Sequence, residues 1–405
     1  MTEIRRLLPE TGIMSGPTSV ERLTERGFEK AMARAMLMTP SDIIAEVSQS
    51  GIKGRGGAAF PTGLKWSMVS QAPGAQKYVV MNADESELGT FKDRVLLEQD
   101  PLGPLSGLVI AAHAVGARKA FCYIRGEYRE VEQVLAAAIE TLRRVGLVGP
   151  DTVEVEIRRG AGAYIAGEET ALFNSIEGMR PEPRVKPPFP TNKGLWGSPT
   201  LIQNVETLAN VAVLFAHDVE WFKAYGTKDT PGTKLVALSG HIHRPGVYEV
   251  PFGTPVADIL NAPELGGSVA GTGRLGAVLL GGAAGTFLNA AEVQNTLLDY
   301  PSLSKVGASI GSGAMMVFDD TVDLTWVLTK MARFFAEESC GQCVPCRIGT
   351  RRILEIAESG NLWSRTQDLR ELGQAMRDAS ICGLGQTAPL ALLSALDRPE
   401  LRHHD

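Results

Sequence analysis

The sequence predicts three successive units: a layered α/β domain, a small α+β module and a helical bundle. Strand, helix and strand follow one another between residues 120 and 157, as in a layered α/β domain. Short strands flank a turn at residues 243–246, which indicates a hairpin in a smaller module. After residue 320 the apolar residues recur at helical spacing in four stretches. We therefore expect the units to span residues 1–232, 233–320 and 321–405.

Length and composition indicate a multidomain globular protein. The chain has 405 residues, of which 44% are apolar and 21% charged, and it divides into two or three domains at about 150 residues each. Lys and Arg number 40 against 46 Asp and Glu, whereas nucleic-acid binding favours a basic excess. The longest weakly polar run, residues 101–117, is shorter than the ~18 to 20 apolar residues of a membrane helix. No apolar signal segment follows the charged first residues. We expect a cytoplasmic protein with no nucleic-acid partner and no direct membrane insertion, or one held at the cytoplasmic face of a membrane within a complex.

The first unit should begin with an arm and then alternate helices with buried strands. Residues 1–40 show little periodicity and predict an arm with one short helix. Capping residues at 39–42 and apolar residues at helical spacing predict a helix that stops at Gly51. The expected strands cover residues 78–81, 120–124 and 153–157, a helix covers residues 127–145, and another begins at residues 204–207.

Two glycine-rich loops are candidates for ligand binding. Residues 54–57 contain three glycines, which let backbone N–H groups approach a phosphate or a planar ring, and Arg55 and Lys65 add positive charge. This loop leads into a helix but does not follow a strand, so it is weak evidence for a dinucleotide-binding fold. The alternative is a glycine-rich turn at the surface. Residues 160–172 are a second glycine loop that feeds a helix, which is a suitable seat for a phosphate.

Polar side chains follow the first predicted strand. Residues 82–87 carry Asp84, Glu85 and Glu87 directly after the apolar run. Because ligands bind at the carboxyl ends of strands in open α/β sheets, we expect site residues that accept hydroxyl hydrogen bonds. A solvated turn is the alternative. Further along, three prolines in residues 186–190 hold Lys186 near an aromatic residue.

Four of the five cysteines are spaced as ligands of an iron-sulfur cluster. Cys340, Cys343 and Cys346 are separated by two residues each, and Cys382 follows at a distance. This spacing is typical of a [4Fe-4S] site, whereas zinc fingers carry two separated C-x-x-C pairs. A zinc ribbon or a group of free thiols is the alternative. A bundle with its loops at one end would gather all four sulfurs.

Two other features are expected to be structural. Cys122 lies in an apolar run and should be a buried thiol. His241 and His243 form an H-x-H pattern, but a metal site needs three or four ligands, so we expect a pair that faces solvent without partners.

Residues 51–387 together closely resemble the F-type flavoprotein component of the respiratory NADH dehydrogenase, complex I. The same type of component occurs in NAD-linked formate dehydrogenases and NAD-reducing hydrogenases. The resemblance rests on both glycine loops, the acidic stretch and residues 338–349, which fit the family's cysteine signature at every position. It implies an α/β FMN-binding domain, a small ubiquitin-like β-grasp (SLBB) module and a C-terminal four-helix bundle that carries a [4Fe-4S] cluster.

The resemblance also implies the chemistry and the residues of the site. A hydride is exchanged between NAD(H) and FMN, and single electrons pass through the [4Fe-4S] cluster to partner subunits. One expected partner is a thioredoxin-like [2Fe-2S] subunit of the E type. The protein supplies binding and orientation, so no catalytic side chain is expected. The cofactor-binding residues implied for FMN are Gly54, Arg55, Gly56, Gly57, Lys65, Asn82, Asp84, Gly167, Glu168, Asn204 and Thr207, and Tyr164 is implied as a cofactor-binding residue without assignment to FMN or NADH. Those implied for NADH are Phe60 and Phe189 near the adenine and Glu85, Glu87, Glu169 and Lys186 at ribose or phosphate groups, and the cluster ligands are Cys340, Cys343, Cys346 and Cys382.

The sequence departs from the family pattern at several positions. Ala59 and Ala166 replace a glycine and a cysteine, Leu88 replaces a proline, Gln203 replaces an asparagine, and Met68 stands where some members have a second phenylalanine near the adenine. Changes at Ala59 and Gln203 can alter FMN affinity, but none of the departures removes a cluster ligand. We also expect NADH to be preferred over NADPH, because Glu85, Glu87 and Glu169 would repel a 2′-phosphate.

Two alternative functions remain from the sequence. Residues 380–389 look more like those of soluble formate dehydrogenases and NAD-reducing hydrogenases, so the chain is alternatively a diaphorase subunit that works toward NAD reduction. The departures in the flavin loops favour a second alternative, a non-catalytic iron-sulfur scaffold whose flavin site has drifted.

Overall fold

The computed structural model describes residues 3–10 and 12–402. The expected arm at residues 1–40 lies partly outside this range, and within it the sequence prediction of one short helix was incomplete. Ser19 caps α1 (Val20–Glu25), and a left-handed glycine at Gly27 then starts α2 (Phe28–Leu37). Glu249 accepts backbone N–H groups of Arg6 and Leu7 at 2.8 Å each, so a middle-unit side chain holds the first residues.

The first unit is a layered α/β domain, as the sequence predicts. The elements are α3 (Pro40–Ser50), α4 (Thr62–Gln71), β1 (Tyr78–Ala83), α5 (Lys92–Gln99), α6 (Leu102–Val115), β2 (Lys119–Ile124), α7 (Arg129–Arg144), β3 (Glu154–Arg159), α8 (Glu169–Ile176), β4 (Thr200–Asn204), α9 (Val205–Ala216) and α10 (Val219–Lys223), with short 3₁₀ turns at Tyr164–Gly167 and Leu195–Gly197. The four strands are all parallel and lie in the order β3, β2, β1, β4. One face, which includes Val79 and Met81, packs on the buried helices α6 and α9. The other face packs Val80 and Phe121 on Phe173 of α8.

The middle unit is a five-stranded mixed sheet with short helices. The elements are β5 (Thr233–Gly240), β6 (Gly246–Pro251), α11 (Val256–Asn261), β7 (Leu275–Leu280), β8 (Thr286–Asn289), α12 (Ala290–Asn295), α13 (Tyr300–Lys305) and β9 (Ala314–Asp319). The strands lie in the order β6, β5, β9, β7, β8, and of the strand pairs in this sheet only β5 and β9 are parallel. The predicted hairpin at residues 243–246 is confirmed, since β5 and β6 pair antiparallel.

The last unit is helical. Its longer helices, α14 (Leu324–Glu338), α15 (Val344–Glu358) and α16 (Thr366–Ala379), are followed by the shorter α17 (Gly383–Thr387) and α18 (Leu390–Leu396) and a 3₁₀ turn at Pro399–Leu401. Helix α14 packs on α15 and α18, and α16 packs on α15, α17 and α18. Cys346 lies inside the first turn of α15, whereas the sequence prediction placed it in a loop between helices. Helix α15 begins before Cys346 because Pro345 is a favourable residue at the start of a helix.

Two side-chain predictions have different outcomes. Cys122 is a buried free thiol, as expected. The prediction that the histidine pair has no partners was wrong for His241, because its Nδ1 lies 2.9 Å from Asp319 Oδ1 at the end of β9. Within the range described, no helix has both the length and the apolar character that crossing a membrane requires.

Candidate functional site

A cavity of about 530 Å³ opens where the three units meet, which is within the usual size range of small-molecule sites. The first unit contributes most of its wall. The residues of this unit that line it are Gly56, Gly57, Ala58, Asn82, Asp84, Glu85, Ser86, Glu87, Thr90, Lys92, Asp93, Tyr164, Ile165, Gly167, Glu168 and Asn204. The middle unit adds Gly281, Ala284, Ser309, Gly311 and Ser312, and the helical unit adds Gly383, Leu384, Thr387 and Leu390.

The first glycine loop lies close to the start of α9. A Cβ at Gly56 would meet the Cβ of Asn204 at 3.1 Å, and Gly57 has φ +125°, which favours glycine. The loop is held in place because Arg55 donates its backbone N–H to Thr207 Oγ1 at 2.9 Å. The Arg55 side chain is buried and its guanidinium lies over the Phe252 ring, 4.4 Å from the centroid. Arg55 therefore contributes backbone, and not its charge, to this side of the cavity.

The carboxyl end of β1 faces the second glycine loop. Asn82 donates its side-chain amide to the Gly167 carbonyl at 2.9 Å. A Cβ at Gly167 would meet Asp84 Oδ2 at 3.2 Å, so the two segments approach as closely as glycine allows. Asp84 Oδ1 is buried and has no hydrogen-bond partner in the described structure, and burial raises the pKa of this carboxyl to about 7. An unpaired acceptor beside a glycine cradle fits a ligand that brings hydroxyl or N–H donors, as FMN does.

The two glutamates after β1 are engaged in different ways. Glu85 accepts the backbone N–H groups of Asp93 and Arg94 at 2.8 and 2.9 Å, so it caps the start of α5, and burial raises its pKa to about 7. Glu87 accepts the hydroxyl of Tyr164 at 2.7 Å. Most of the hydrogen-bonding capacity of Glu85 is thus already used within the protein, whereas Glu87 is held at the cavity wall.

Four charged residues form a compact group next to the cavity. Lys186 Nζ lies 2.9 Å from Glu168 Oε1 and 2.7 Å from Glu169 Oε1, and Lys65 Nζ lies 3.5 Å from Glu169 Oε2. Burial lowers the pKa of Lys65, and the two lysines together keep the pKa of Glu169 below its usual value against the effect of burial. The group carries two positive and two negative charges. Only Glu168 of these four lines the cavity itself.

The structure does not bring every expected residue to the cavity wall. Gly54, Arg55, Phe60, Lys65, Glu169, Lys186, Phe189 and Thr207 are not among the lining residues. Phe60 and Phe189 are exposed, 43% and 57%, so both rings are free to stack on a ligand at the surface.

Sequence reasoning missed a buried charged cluster under the cavity. Lys92 lines the cavity and lies 2.6 Å from Asp93 Oδ1 and 2.9 Å from Glu206 Oε2. Glu206 also pairs with Lys234 Nζ at 2.5 Å. Lys234 in turn donates to the Ser312 carbonyl at 3.1 Å, so it holds the middle-unit loop that lines the cavity. The Lys92-Asp93 pair, which begins five residues after Glu87, was the available signal.

All four predicted cluster ligands line a second, small pocket. Cys340, Cys343, Cys346 and Cys382 surround it together with Ser339. Burial raises the pKa of Cys346 to about 11, and the other three cysteines add to the rise. In residues 3–10 and 12–402, no three His, Cys, Asp or Glu side chains converge as ligands of one metal ion. The ligands of a four-iron cluster bind different iron atoms, and four thiols around one pocket fit such a group.

Two aliphatic side chains separate the cavity from the cysteine pocket. Ile165 and Leu384 line both, and they are 5% and 6% exposed. Ile165 belongs to the second glycine loop and Leu384 follows Cys382 by two residues. A ligand in the cavity and a cluster at the cysteines would therefore be near neighbours across an apolar wall.

Comparisons with known proteins give the family. Residues 47–213 match the model described as the Nuo51 FMN-binding domain, and residues 326–402 match the NADH-ubiquinone oxidoreductase-F iron-sulfur binding region. The chain is 41% identical over 383 residues to the second F-type NADH-quinone oxidoreductase component of Rhizobium meliloti (strain 1021), covering 92% of this chain and 89% of that protein. It is 38% identical over 382 residues to the NADP-reducing hydrogenase component HndC of Solidesulfovibrio fructosivorans, covering 92% and 77%.

A solved structure is similar over the whole chain. The NAD⁺-reducing [NiFe]-hydrogenase in the H2-reduced state matches with a TM-score of 0.83 and 35% identity, covering 100% of this chain and 69% of that chain.

The fold, the cavity and the cysteine pocket define a flavin- and iron-sulfur-binding oxidoreductase subunit. The chain belongs to the family of F-type NADH-quinone oxidoreductase components and the related hydrogenase subunits. The resemblance seen in the sequence is thus confirmed, and the cofactors are FMN and a [4Fe-4S] cluster with NAD(H) as substrate. The zinc alternative for the cysteines is set aside. The chain is an NADH dehydrogenase that works as a subunit of a larger complex.

Proposed function

We propose that the 530 Å³ cavity holds FMN and that NAD(H) enters beside it from the surface that carries Phe60 and Phe189. The assignment of FMN is supported chiefly by the unpaired Asp84 Oδ1 next to the Gly167 cradle. The residues proposed to contact FMN are Gly54, Gly56, Gly57, Asn82, Asp84, Tyr164, Gly167, Glu168, Asn204 and Thr207, with the Arg55 backbone and the Lys65 amine nearby. Those proposed for NAD(H) are Phe60, Phe189, Glu85, Glu87, Glu169 and Lys186.

The residues of the chain bind, orient and exclude water. When bound, FMN exchanges a hydride with NAD(H), and the cluster passes electrons singly to the next carrier. The backbone of residues 54–57 and the amide of Asn82 fix the position of the flavin, while Glu87 and Tyr164 shape the wall. Ile165 and Leu384 keep water out of the space between the cavity and the cysteines, where a short apolar path favours electron transfer.

The preference for NADH over NADPH is part of this proposal. Its support is weaker at Glu85, which caps α5, and at Glu169, which two lysines neutralise. Glu87, a carboxyl group at the cavity wall whose pKa is raised by burial, is then the group on which this preference chiefly depends. Steady-state assays with the two nucleotides test this point, and comparable kcat/KM values for NADH and NADPH would contradict it.

We further propose the finer architecture and the setting of the subunit. The mixed sheet at residues 233–320 corresponds to a ubiquitin-like SLBB module, and helices α14, α15, α16 and α18 to a four-helix bundle within residues 321–405. The α/β domain with its arm covers residues 1–232. A thioredoxin-like [2Fe-2S] subunit of the E type is the proposed partner, and the cytoplasm or the cytoplasmic face of a membrane is the proposed location.

A diaphorase role is the second candidate. The similarity to the NAD⁺-reducing [NiFe]-hydrogenase structure over 100% of this chain favours it. In that setting electrons enter from a partner and the subunit reduces NAD⁺. Purification of the chain with its partners distinguishes the two parent complexes by their composition.

The central experiment is an anaerobic titration of the purified, FMN-supplemented protein with NADH. Flavin absorbance and the electron paramagnetic resonance (EPR) signal of the cluster are followed together. We expect bleaching of the flavin and appearance of a reduced-cluster signal. A cluster that is present without any NADH-reducible flavin would contradict the proposal and support the scaffold alternative.

A further inference from the structure

Ser339 contacts the sulfur of one predicted cluster ligand. Its Oγ lies 3.3 Å from Cys346 Sγ, within hydrogen-bond range for sulfur. Ser339 is the residue directly after α14, and its backbone N–H donates to the Phe335 carbonyl at 3.1 Å. The end of a long helix therefore fixes the position of the Ser339 hydroxyl. Both residues line the cysteine pocket.

The direction of this hydrogen bond follows from the donors around it. Gly341 directs its backbone N–H at Ser339 Oγ, 3.4 Å away, so the serine oxygen acts as an acceptor there. A hydroxyl has one hydrogen, which remains for Cys346. A sulfur that binds iron is a thiolate without a hydrogen of its own, and it can only accept. Ser339 therefore donates to Cys346 when the cluster is bound.

Two of the four ligands have donors of different kinds. Burial raises the pKa of Cys382, and the backbone N–H groups of Leu384 and Gly385 offset part of that rise. The Ser339 hydroxyl is a side-chain donor and can be removed.

We infer that Ser339 is a positioning and tuning residue that raises the reduction potential of the [4Fe-4S] cluster through its hydrogen bond to Cys346. This inference rests on the proposed cluster site. Reduction adds one electron and one negative charge to the cluster, and a donor to a ligand sulfur stabilises the more negative form. Hydrogen bonds to the sulfurs are one of the factors that set cluster potentials.

The test is a redox titration of the cluster followed by EPR, in the full chain with FMN. Ser339→Ala should lower the midpoint potential by ~59 mV. For a one-electron couple, this shift corresponds to an about tenfold lower ratio of reduced to oxidised cluster at a given potential. Ser339→Thr keeps the hydroxyl and should stay near the wild-type value. Thr350→Val is the matched control, because Thr350 Oγ1 donates to the Cys346 carbonyl at 2.8 Å and not to its sulfur, and it should leave the potential unchanged.

Loss of the cluster in a variant is also informative. Ser339→Val has nearly the shape of Ser339→Thr without the hydroxyl. If the Ala and Val variants lose the cluster and the Thr variant keeps it, the hydroxyl itself is required, which supports the bond. The inference fails if Ser339→Ala retains the wild-type potential, or if the Thr variant is as defective as the Val variant. NADH-dependent flavin bleaching in the same samples reports separately on the proposed function.

Discussion

Tyr164 and Glu87 are joined by a 2.7 Å hydrogen bond in which the phenolic hydroxyl donates to Oε2. The same tyrosine donates its backbone N–H to Glu338 Oε2 at 2.9 Å, and Glu87 accepts the N–H of Ala284 at 3.3 Å. The pair thus connects the α/β domain to the helical unit and to the middle unit, at the wall of the cavity. The shape of the cavity depends on how these units are held together.

Removing the tyrosine hydroxyl should loosen this connection. In Tyr164→Phe, Glu87 loses its shortest donor but keeps the N–H of Ala284, and burial already raises its pKa. We expect the free energy of unfolding to fall by about 1.5–3 kcal/mol, the usual contribution of a hydrogen bond to a charged group, and FMN affinity to fall with it. Urea unfolding and fluorescence titration with FMN measure the two effects.

Tyr123→Phe is a suitable control for this change. Its hydroxyl donates to the neutral Ser175 Oγ at 2.8 Å, so we expect a loss of about 0.5–1.5 kcal/mol. Equal losses of stability in both variants, with FMN affinity unchanged, would contradict the role given to Tyr164.

Substitution of a cluster ligand should separate the iron-sulfur site from the flavin site. Cys343→Ser removes one of four thiolates, so iron content and the cluster EPR signal should fall sharply while FMN still binds. Cys122→Ala is the control, because Cys122 is buried in the α/β core and should leave iron content unchanged. Metal analysis and flavin absorbance on the same preparations measure both, and full iron content in Cys343→Ser would rule out this ligand set.

The sequence was sufficient for the features that depend on local pattern. The strands at 78–81 and 120–124 and the helix at 127–145 follow from periodicity, and the cysteine site follows from spacing, since both signals lie within short stretches. The mixed middle sheet was only outlined, because the pairing of β5 with β9 joins segments far apart in the chain.

Side-chain directions could not be predicted in the same way. Arg55 lies in a loop that suggested a phosphate site, yet its guanidinium packs on Phe252 of the middle unit. Glu85 looked like a ligand residue and caps α5. In each case the partner lies elsewhere in the chain, and no local pattern specifies it.

The Lys234–Glu206 pair joins the first and middle units, and its removal should lower their stability. Both side chains are buried, and Glu206 also accepts the backbone N–H of Leu235 at 2.9 Å. Burial lowers the pKa of Lys234 to about 7, and Glu206 keeps Lys92 at 2.9 Å when Lys234 is removed. Lys234→Met therefore costs hydrogen bonds without leaving an unpaired carboxylate, and we expect the free energy of unfolding to fall by about 1–3 kcal/mol. Urea unfolding followed by circular dichroism measures this change.

The double variant Lys234→Met/Glu206→Gln distinguishes a lost ion pair from a lost side chain. Removing both charges leaves Lys92 paired with Asp93 at 2.6 Å and no carboxylate short of a cation, so the double variant should be more stable than Lys234→Met alone. A double variant as unstable as the sum of the two single variants would mean that the pair contributes no coupling energy.

Asp84 should make the stability of the FMN-free protein depend on pH. Burial raises its pKa from 3.8 to about 7, so between these values the folded state holds a proton that the unfolded state has lost. The contribution of the protonated Asp84 carboxyl to the free energy of unfolding is therefore complete below pH 3.8, and it is lost as the pH rises through about 7.

The variant Asp84→Asn stays neutral at every pH, so its free energy of unfolding should fall less than that of the wild type over the same pH range. Some dependence will remain, because burial also raises the pKa of Glu85 to about 7 and of Asp100 to about 6. Asp151→Asn, at an exposed position, should behave as the wild type in urea unfolding at several pH values, and equal pH slopes for wild type and Asp84→Asn would show that this carboxyl ionises normally.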